Sequence, residues 1–168
     1  MKTEIVLIAN DIRSCHNIGS LARSADSFGV KTIYCTGITP FVRAEADDRL
    51  PHIRKKIITD IHKTALCAEN TVDIVYAPGL QALLRRLEAS GYTIAALEQS
   101  NESISLKSPI KSKRIALILG SETTGIPQQI LSICGLVFEI PMLGKKESLN
   151  VSIAGAIAMY ELKRSELY

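Results

Sequence analysis

One stretch near the C-terminus decides the fold: the sequence IPMLGKKESLNVS at residues 140–152, which runs on into IAGAIAMYEL at residues 153–162. It has the pattern of a strand end, a polar turn and a helix that is hydrophobic at nearly every position. Because a helix that is apolar all round must be covered all round, this segment predicts a helix with two buried sides. One side would pack on the core and the other on a second copy of the chain or a second layer. An ordinary core helix is the alternative.

The faces of this helix separate small residues from large ones. Ser148, Ser152 and Gly155 follow the spacing i, i+4, i+7 and form a stripe that lets another backbone approach closely. Ser148 and Asn150 stand at the predicted helix start, where either can act as a cap. Two such residues beside a Gly-Lys-Lys-Glu turn also indicate a lined site. A separate hydrophobic face is formed by Leu149, Ile153, Ala156 and Met159.

Length and composition indicate one globular domain over residues 1–168. The chain is 46% hydrophobic and 22% charged, and its net charge of +3 permits a nucleic-acid partner without requiring one. Its cysteines show no CxxC or zinc spacing, so we expect no metal. No signal peptide and no apolar run of membrane-spanning length are evident. We therefore expect a cytoplasmic protein with reduced cysteines and no membrane partner.

Strands and helices alternate along the chain. Apolar runs of strand length are separated by amphipathic segments, with Asn17 as a helix cap, Gly29 as a helix stop and Pro127 at a helix start. This alternation predicts an α/β fold, a parallel sheet flanked by helices on both faces. The predicted strands are 4–9, 32–35, 72–76, 93–97, 114–119 and 136–140, and the predicted helices are 17–28, 57–68, 78–89, 127–133 and 149–162.

Residues 36–54 lack a regular pattern and predict a long loop. Loops of this length in compact domains are usually functional or mobile. This loop and the residues after it carry several cations, which favour contact with an anionic substrate. A solvated surface loop is the alternative. The basic residues are Arg43, Arg49, His52, Arg54, Lys55 and Lys56.

Polar clusters that contain glycine or serine follow three predicted strands, at residues 97–100, 120–125 and 142–150. In open parallel sheets, ligands bind at the carboxyl ends of strands. Gly120 and Gly125 allow positive φ or close approach to a ligand. The common phosphate-binding patterns are excluded, because no Lys-Ser or Lys-Thr pair follows Gly125 and no GxGxxG follows the first strand. The three clusters therefore predict a shared site of another kind.

The first predicted helix carries a candidate anion site. Asn17 and Arg23 start about 120° apart around the helix, with about 9 Å of rise between them. Helical side chains lean toward the N-terminus, and we expect Gly19 to leave the way clear. The Arg23 guanidinium can then reach back toward the positive pole of the helix, where a phosphate or a developing alkoxide would be stabilised. A solvated surface arginine is the alternative.

Three motifs together resemble those of the SpoU (TrmH-like) family, within the knotted SPOUT methyltransferases. They are HNIGSLARSADSFGV at 16–30 (the N-terminal motif), ILGSETTG at 118–125 (the central motif) and IPM…ESLNVS at 140–152 (the C-terminal motif). The resemblance covers nearly the whole chain. It implies an S-adenosylmethionine-dependent enzyme that methylates the 2′-hydroxyl of a ribose in RNA. It also implies a homodimer and a deep C-terminal trefoil knot, which is an exception to the rule that chains do not knot.

The resemblance also assigns roles to residues. Arg23 matches the catalytic arginine and Asn17 the asparagine that supports the site, while Glu122, Ser148 and Asn150 match further catalytic positions. Because an arginine should stay protonated, we expect Arg23 to pair with the RNA phosphate and stabilise the oxyanion; its acting as a base stays open. The partner's N-terminal motif would complete each site. The implied cofactor contacts are Leu97, Glu98, Gly120, Ser121, Gly125, Ile140, Met142 and Leu149.

The substrate is expected to be RNA held by the surface of this chain. Transfer RNA is the first choice and ribosomal RNA the second. A non-catalytic RNA-binding module on the same scaffold and a small-molecule α/β enzyme are the competing interpretations. Only RNA binding should weaken steeply as salt rises. The expected RNA-binding residues are Arg43, Arg49, Arg54, Lys55, Lys56, Lys145 and Lys146.

Overall fold

A single parallel β-sheet flanked by helices forms the centre of the computed structural model, which describes residues 3–108 and 111–167. This architecture confirms the predicted α/β fold. Within the described residues the strands are β1 (Glu4–Asn10), β2 (Thr32–Thr36), β3 (Asp73–Tyr76), β4 (Thr93–Leu97), β5 (Ile104–Ser105), β6 (Arg114–Leu119) and β7 (Leu136–Glu139). They lie in the order β3-β2-β1-β6-β4-β7-β5. The helices are α1 (Cys15–Ser27), α2 (Pro51–Ala65), α3 (Leu80–Ala89), α4 (Gln128–Leu131) and α5 (Val151–Leu167), with a 3₁₀ turn at Ala68–Asn70.

Both faces of the sheet are buried, as the continuous apolar runs of its central strands require. Successive strand residues point to opposite faces, so a run that is apolar at every position must be covered on both sides. Along β1, Leu7 and Ala9 belong to the core beneath α1, α2 and α5. Val6 and Ile8 belong to the core beneath α3 and α4. The ligand-binding edge of the sheet is therefore set between two layers of helices.

Two helices begin earlier than the sequence predicts. α1 starts at Cys15, because Ser14 and not Asn17 is its cap; the Ser14 Oγ accepts a hydrogen bond from the Asn17 backbone N–H at 3.2 Å. α2 starts at Pro51 rather than at 57, with the proline in its first turn. The loop predicted over 36–54 therefore ends at residue 50.

Smaller differences concern the ends of other elements. α2 ends at Ala65 and not at 68, because Leu66 and Cys67 adopt left-handed backbone angles, with φ of 50° and 74°. β5, Ile104–Ser105, is absent from the sequence prediction, since two residues are too few to show a periodic pattern. α5 begins at Val151, two residues after the predicted start.

α5 buries only part of its surface within one chain. Ser152 and Gly155 are buried, and a Cβ on Gly155 would lie 2.5 Å from Leu21 Cδ2, so this side packs closely on α1. Met159 is fully buried and does not share a face with the exposed Ile153, because six residues separate the two side chains by about 120° around the helix. The described part of the chain leaves the other side uncovered. The hydrophobic residues there, each 37% to 52% exposed, are Leu149, Ile153, Ile157 and Tyr160.

α1 and α2 approach each other closely at Gly19. A Cβ at this position would lie 2.2 Å from Thr64 Oγ1 and 2.3 Å from the Ile61 carbonyl oxygen. Thr64 Oγ1 also donates a hydrogen bond to the His16 carbonyl at 2.8 Å. The contact therefore holds the start of α1 in place. Because α2 covers Gly19, the expectation that this glycine leaves a path for the Arg23 side chain is wrong.

No helix among residues 3–108 and 111–167 is long and apolar enough to cross a membrane. In the same described residues, no group of three or more His, Cys, Asp or Glu side chains is placed to hold a metal ion. The cysteines Cys15, Cys35, Cys67 and Cys134 form no disulfide.

We predict that Gly19→Ala lowers the free energy of unfolding by about 1–3 kcal/mol, because the added methyl group forces α1 and α2 apart. The matched control is Gly144→Ala, since no atom lies within 4 Å of a Cβ at that position. The control should change stability by less than about 0.5 kcal/mol. Urea denaturation of both variants measures the difference, and equal stability of Gly19→Ala and the wild type would contradict this account of the packing.

Candidate active site

The carboxyl ends of the neighbouring strands β6, β4 and β7 surround one cavity. Its volume is about 470 Å³, which is in the range of small-molecule sites. The walls come from the turns after β4 and β6 and from the segment that links β7 to α5. All the expected cofactor contacts line it: Leu97, Glu98, Gly120, Ser121, Gly125, Ile140, Met142 and Leu149.

The turn after β6 is compact because it is built on two glycines. Gly125 has φ +64°, in the left-handed region that glycine tolerates best, and its N–H donates to the Ser121 carbonyl at 3.0 Å. A Cβ on Gly120 would lie 2.6 Å from the carbonyl carbon of Gly125. The Glu98 carboxylate accepts a hydrogen bond from the Ile126 N–H at 2.9 Å. This bond joins the turns after β4 and β6 into one wall of the cavity.

One chain of hydrogen bonds joins the three motifs. Asn17 Nδ2 donates to Glu122 Oε1 at 2.7 Å, and Asn150 Nδ2 donates to Asn17 Oδ1 at 3.1 Å. Asn150 Oδ1 accepts from the Ser152 N–H at 2.9 Å and so caps the start of α5. The backbone N–H of Arg13 donates to the other carboxylate oxygen of Glu122, Oε2, at 3.2 Å. Residues distant in sequence are thereby held in one fixed arrangement.

The Glu122 carboxylate is held in its ionised form. Partial burial raises its pKa, but hydrogen bonds from its own backbone N–H, from the Asn17 side chain and from the backbone of Arg13 and Ser14 outweigh that effect. The pKa of Glu122 therefore lies below the ordinary value for glutamate. The ionised carboxylate also orients the Asn17 amide, because Nδ2 must face Glu122 and Oδ1 is left to accept from Asn150.

The cavity is lined by acidic and apolar groups. Glu98, Glu122, Glu139 and Glu147 line it, and no lysine, arginine or histidine is among the described residues that do so. Leucine, isoleucine and methionine side chains supply the apolar surface beside them. Negative potential favours a cation and repels a polyphosphate. The residues present therefore fit a ligand that combines a positive charge with an apolar body.

Two of these carboxylates are missing from the residues named in the sequence analysis. Glu139 is the last residue of β7, and the rule that ligands bind at the carboxyl ends of parallel strands could have identified it. Its carboxylate accepts a hydrogen bond from Ser103 Oγ at 2.6 Å. Glu147 lies in an irregular segment before α5, where no periodic pattern indicates which side chains face a site.

Arg23 lies apart from the cavity in the single chain. Its side chain is exposed on α1 and takes part in none of the ion pairs found among the described residues. It does not line the cavity, whereas Ser148 does. One chain thus brings together the other expected catalytic residues, which are Asn17, Glu122, Ser148 and Asn150.

The loop before α2 has a defined conformation, and the Arg49 side chain is bound within it. The Arg49 side chain is only 14% exposed, and its Nε and Nη2 donate to the two carboxylate oxygens of Asp47, both at 2.7 Å. These bonds lower the pKa of Asp47 to about 2. The guanidinium lies 3.6 Å over the Phe41 ring, which stacks in turn on Tyr76 at the end of β3. The stack fixes the loop to the sheet.

The other expected RNA-binding residues differ in whether they form ion pairs with carboxylates of the chain. Arg43 is exposed and paired with Asp73, and the exposed Arg54 lies 3.5 Å from Asp47. No ion pair within residues 3–108 and 111–167 involves the lysines, all of which are exposed: Lys55, Lys56, Lys145 and Lys146.

Fold and site together define a class of protein, an α/β protein that binds a small ligand between three turns at the carboxyl edge of a parallel sheet. The model of the SpoU rRNA Methylase family matches residues 4–160. The chain belongs to this family, which confirms the resemblance carried by the three motifs.

Known relatives agree with this assignment. The 23S rRNA (guanosine-2'-O-)-methyltransferase RlmB of Nitrosomonas europaea is 30% identical over 164 residues, 95% of this chain and 56% of that protein. The chain spans a little over half the length of such relatives. An AdoMet-bound rRNA methyltransferase from Sinorhizobium meliloti superposes on all of this chain and 59% of its own with a TM-score of 0.82, at 24% identity. A structure concerned with the 2-OH methylation of C/U34 on tRNA, 22% identical, matches 98% of this chain and 97% of its own with a TM-score of 0.77.

We predict that the side-chain amide resonances of Asn17 titrate with Glu122, with a midpoint below 4.5, the ordinary pKa of glutamate. Because the pKa is lowered in the folded state, the contribution of this hydrogen bond to stability is complete above that ordinary value and is lost as the pH falls through the lowered one. NMR spectra of the wild type and of Glu122→Gln, in which the titration should vanish, provide the measurement. A midpoint at or above 4.5 would contradict the hydrogen-bond chain.

Proposed function

We propose that this protein is an S-adenosylmethionine-dependent methyltransferase that acts on a ribose 2′-hydroxyl in RNA. The observation that carries the proposal is the convergence of the central and C-terminal motifs on one acidic and apolar cavity, with Asn17 of the N-terminal motif bonded to both. Membership of the SpoU family supports the reaction class. The AdoMet bound to the Sinorhizobium meliloti protein supports the choice of cofactor.

The residues of the cavity fit this cofactor. When bound, S-adenosylmethionine supplies a methyl group carried on a sulfonium cation. Glu98, Glu122, Glu139 and Glu147 provide the negative potential that a cationic ligand requires. The glycines of the turn after β6 let it pack directly against Glu98 of the turn after β4, which closes this wall of the cavity. The apolar contacts in this proposal come from Leu97, Ile140, Met142 and Leu149, and the polar ones from Ser121 and the backbone of Gly120 and Gly125.

Arg23 is the proposed catalytic residue that faces the RNA. Its guanidinium is a planar, positively charged donor, so it is suited to bind the phosphate beside the target ribose and to stabilise negative charge on the 2′-oxygen. Ser148 and Asn150 orient the ribose and the guanidinium, and Asn17 and Glu122 fix the position of Asn150. Electrostatic stabilisation, not proton abstraction, is therefore the role we propose for Arg23.

A homodimer is part of this proposal, because Arg23 lies apart from the cavity of its own chain. The exposed hydrophobic stripe of α5, formed by Leu149, Ile153, Ile157 and Tyr160, needs a cover. Tyr160 of the stripe packs edge-on against the half-buried ring of Phe28, the residue that ends α1, with the ring centroids 6.0 Å apart, so the stripe lies beside α1. Since Arg23 is on the same helix, a second copy seated on the stripe would bring Arg23 of one subunit toward the cavity of the other.

The proposal extends to the threading of the chain. We propose that residues 1–168 form one methyltransferase domain whose C-terminal part passes through a deep trefoil knot. The sheet order supports crossing connections, because β6 lies between β1 and β4 and the chain then returns to place β7 on the far side of β4. The C-terminal motif also runs beside both turns of the cavity before α5 packs on α1.

Transfer RNA is the proposed substrate, as in the sequence analysis, and ribosomal RNA is the second candidate. The named relatives include a 23S rRNA enzyme and a structure concerned with tRNA. The experiment is incubation of the purified protein with labelled S-adenosylmethionine and separate tRNA and rRNA fractions from a strain that lacks the gene. Label recovered as 2′-O-methylated nucleoside in one fraction identifies the substrate, and no label in either would overturn the proposal.

We predict that Arg23→Ala lowers the rate of methyl transfer by about 100- to 1000-fold, because one preorganised cation is lost from the charged transition state. Its affinity for S-adenosylmethionine should be unchanged in calorimetry, since Arg23 does not line the cavity of its own chain and its proposed contacts in the dimer are with the RNA. Arg85→Ala is the matched control, because Arg85 is equally exposed but lies on α3, on the other face of the sheet. Near-normal turnover of Arg23→Ala would remove this residue from the mechanism.

A further inference from the structure

A second arginine, Arg13, stands beside the catalytic hydrogen-bond chain and has no part in the roles described above. It lies between β1 and α1, and its backbone N–H is 3.2 Å from Glu122 Oε2. Its side chain is exposed. The backbone of Arg13 is thus anchored to Glu122, a residue of the cavity wall. Its exposed guanidinium remains available to bind a ligand.

The guanidinium of Arg13 is unusual in having no partner. Most arginines of this chain bind a carboxylate or lie over an aromatic ring. Among the described residues Arg13 does neither, although the Glu122 carboxylate receives its backbone N–H. The carboxylate oxygens of Glu122 already accept from Asn17 and from backbone groups, so the charge of Arg13 is not used to neutralise them. Within the described part of the chain, Arg13 shares this unpaired state with Arg23 and with Arg85, which is what makes Arg85 a matched control.

The backbone that carries Arg13 is held from several sides. Asp11 has a positive φ of 55°, and its Oδ1 accepts from the Ile38 N–H at 3.2 Å. The next N–H, that of the fully buried Ile12, donates to Thr39 Oγ1 at 3.1 Å. Aspartate adopts this left-handed conformation readily, and the two hydrogen bonds to the loop after β2 hold it here. The start of the Arg13 side chain is therefore fixed relative to both Glu122 and the loop after β2.

The start of α2 carries further basic residues on the same side of the molecule as Arg13. The start of α1 lies against the last turn of α2, because Thr64 Oγ1 donates a hydrogen bond to the His16 carbonyl at 2.8 Å. α1 connects β1 to β2 and α2 connects β2 to β3, and these neighbouring strands are parallel, so the two helices run in the same direction. The part of α2 before Asp60, about 13 Å of helix, thus projects beyond α1 on the side of the carboxyl edge. The exposed basic residues it carries there are His52, Arg54, Lys55 and Lys56.

We propose that Arg13 is a substrate-positioning residue that binds a phosphate of the RNA backbone next to the target ribose, in line with the cations at the start of α2. The proposal rests on the proposed function. A fixed arginine beside Glu122 gives the RNA a register relative to the cavity, as phosphate contacts position a nucleic acid without reading its bases. The basic residues at the projecting start of α2 add electrostatic attraction for the RNA. Arg13 fixes where the RNA strand lies relative to the cavity.

The test is Arg13→Ala, compared with Arg13→Lys and with Arg85→Ala as the matched control. The removed side chain has no partner among the described residues and the backbone N–H to Glu122 remains, so stability and S-adenosylmethionine affinity should equal those of the wild type. The KM for the RNA fraction that the wild type methylates should rise about 10-fold, the loss of about one phosphate contact, with kcat within twofold. Arg13→Lys should recover part of the loss.

Salt dependence separates this role from a general one. For bulk tRNA binding, the slope of log affinity against log salt should become shallower by about 0.7–0.9 in Arg13→Ala, the change expected for one lost phosphate contact. Arg85→Ala should leave the slope unchanged. If Arg13→Ala leaves both the KM for RNA and the salt slope unchanged while the wild type is active, the role proposed for Arg13 is overturned. The proposed function is not affected by that result. A wild type that neither binds S-adenosylmethionine nor methylates either RNA fraction would instead overturn the proposed function.

Discussion

The hydrogen bonds that Asn17 makes to Glu122 and Asn150 are the constraint on which the rest of the structure depends. They connect the helix after β1, the turn after β6 and the cap of α5, which lie far apart in sequence. An asparagine amide can donate and accept at the same time, so it can link a carboxylate to a second amide. Because the lowered pKa of Glu122 keeps its carboxylate ionised, the Asn17 amide donates to Glu122 and accepts from Asn150. The cavity between the turns keeps its shape because its walls are bonded to one another.

The parallel sheet explains why these segments meet at all. Strands β6, β4 and β7 are neighbours in the sheet and share a direction, so the turns that follow them lie at the same edge. Glycine makes the turn after β6 tight enough to sit against Glu98. The result is a cavity whose described lining contains several carboxylates and no cation. Its chemistry suits a cationic ligand, while the cations that suit RNA lie outside it, on α1, α2 and the segment before α5.

Sequence reasoning succeeds here where the signal is local and continuous. The run RIALIL gives the bounds of β6, Arg114–Leu119, because a strand buried on both faces is apolar at every position. The start of α2 is missed, since Leu50 offers no capping side chain and the cationic first turns look like a loop. Arg49 is counted among the RNA-binding residues, but its pairing with Asp47 and Phe41 depends on how the loop folds back on itself.

The same limit applies to the site. The expected cofactor contacts all line one cavity, because the turns that carry them follow the neighbouring strands β4, β6 and β7; that they bind a cofactor stays a prediction. Glu147 lies in the C-terminal motif without an assigned role, and Arg13 lies outside all three motifs, since nothing in their local sequence shows what they face. Gly19 is misread for a similar reason: its lack of a side chain serves the contact with α2 and not the path of Arg23. In the proposed dimer the relation of Arg23 to the cavity depends on a second chain, and the contacts between two chains leave no pattern within one sequence.

The central claim is that Arg23 of one subunit serves the cavity of the other, and subunit mixing tests it most directly. Arg23→Ala and Ser148→Ala chains, each inactive alone, are co-expressed with different tags and isolated as the mixed dimer. The account predicts about half the wild-type rate per dimer, since one of two symmetric sites is intact. A dimer of wild-type and Arg23→Ala/Ser148→Ala chains should be inactive, because each of its sites is broken. The reverse pattern, an inactive first dimer and a half-active second, would show that Arg23 acts within its own chain and would contradict the account.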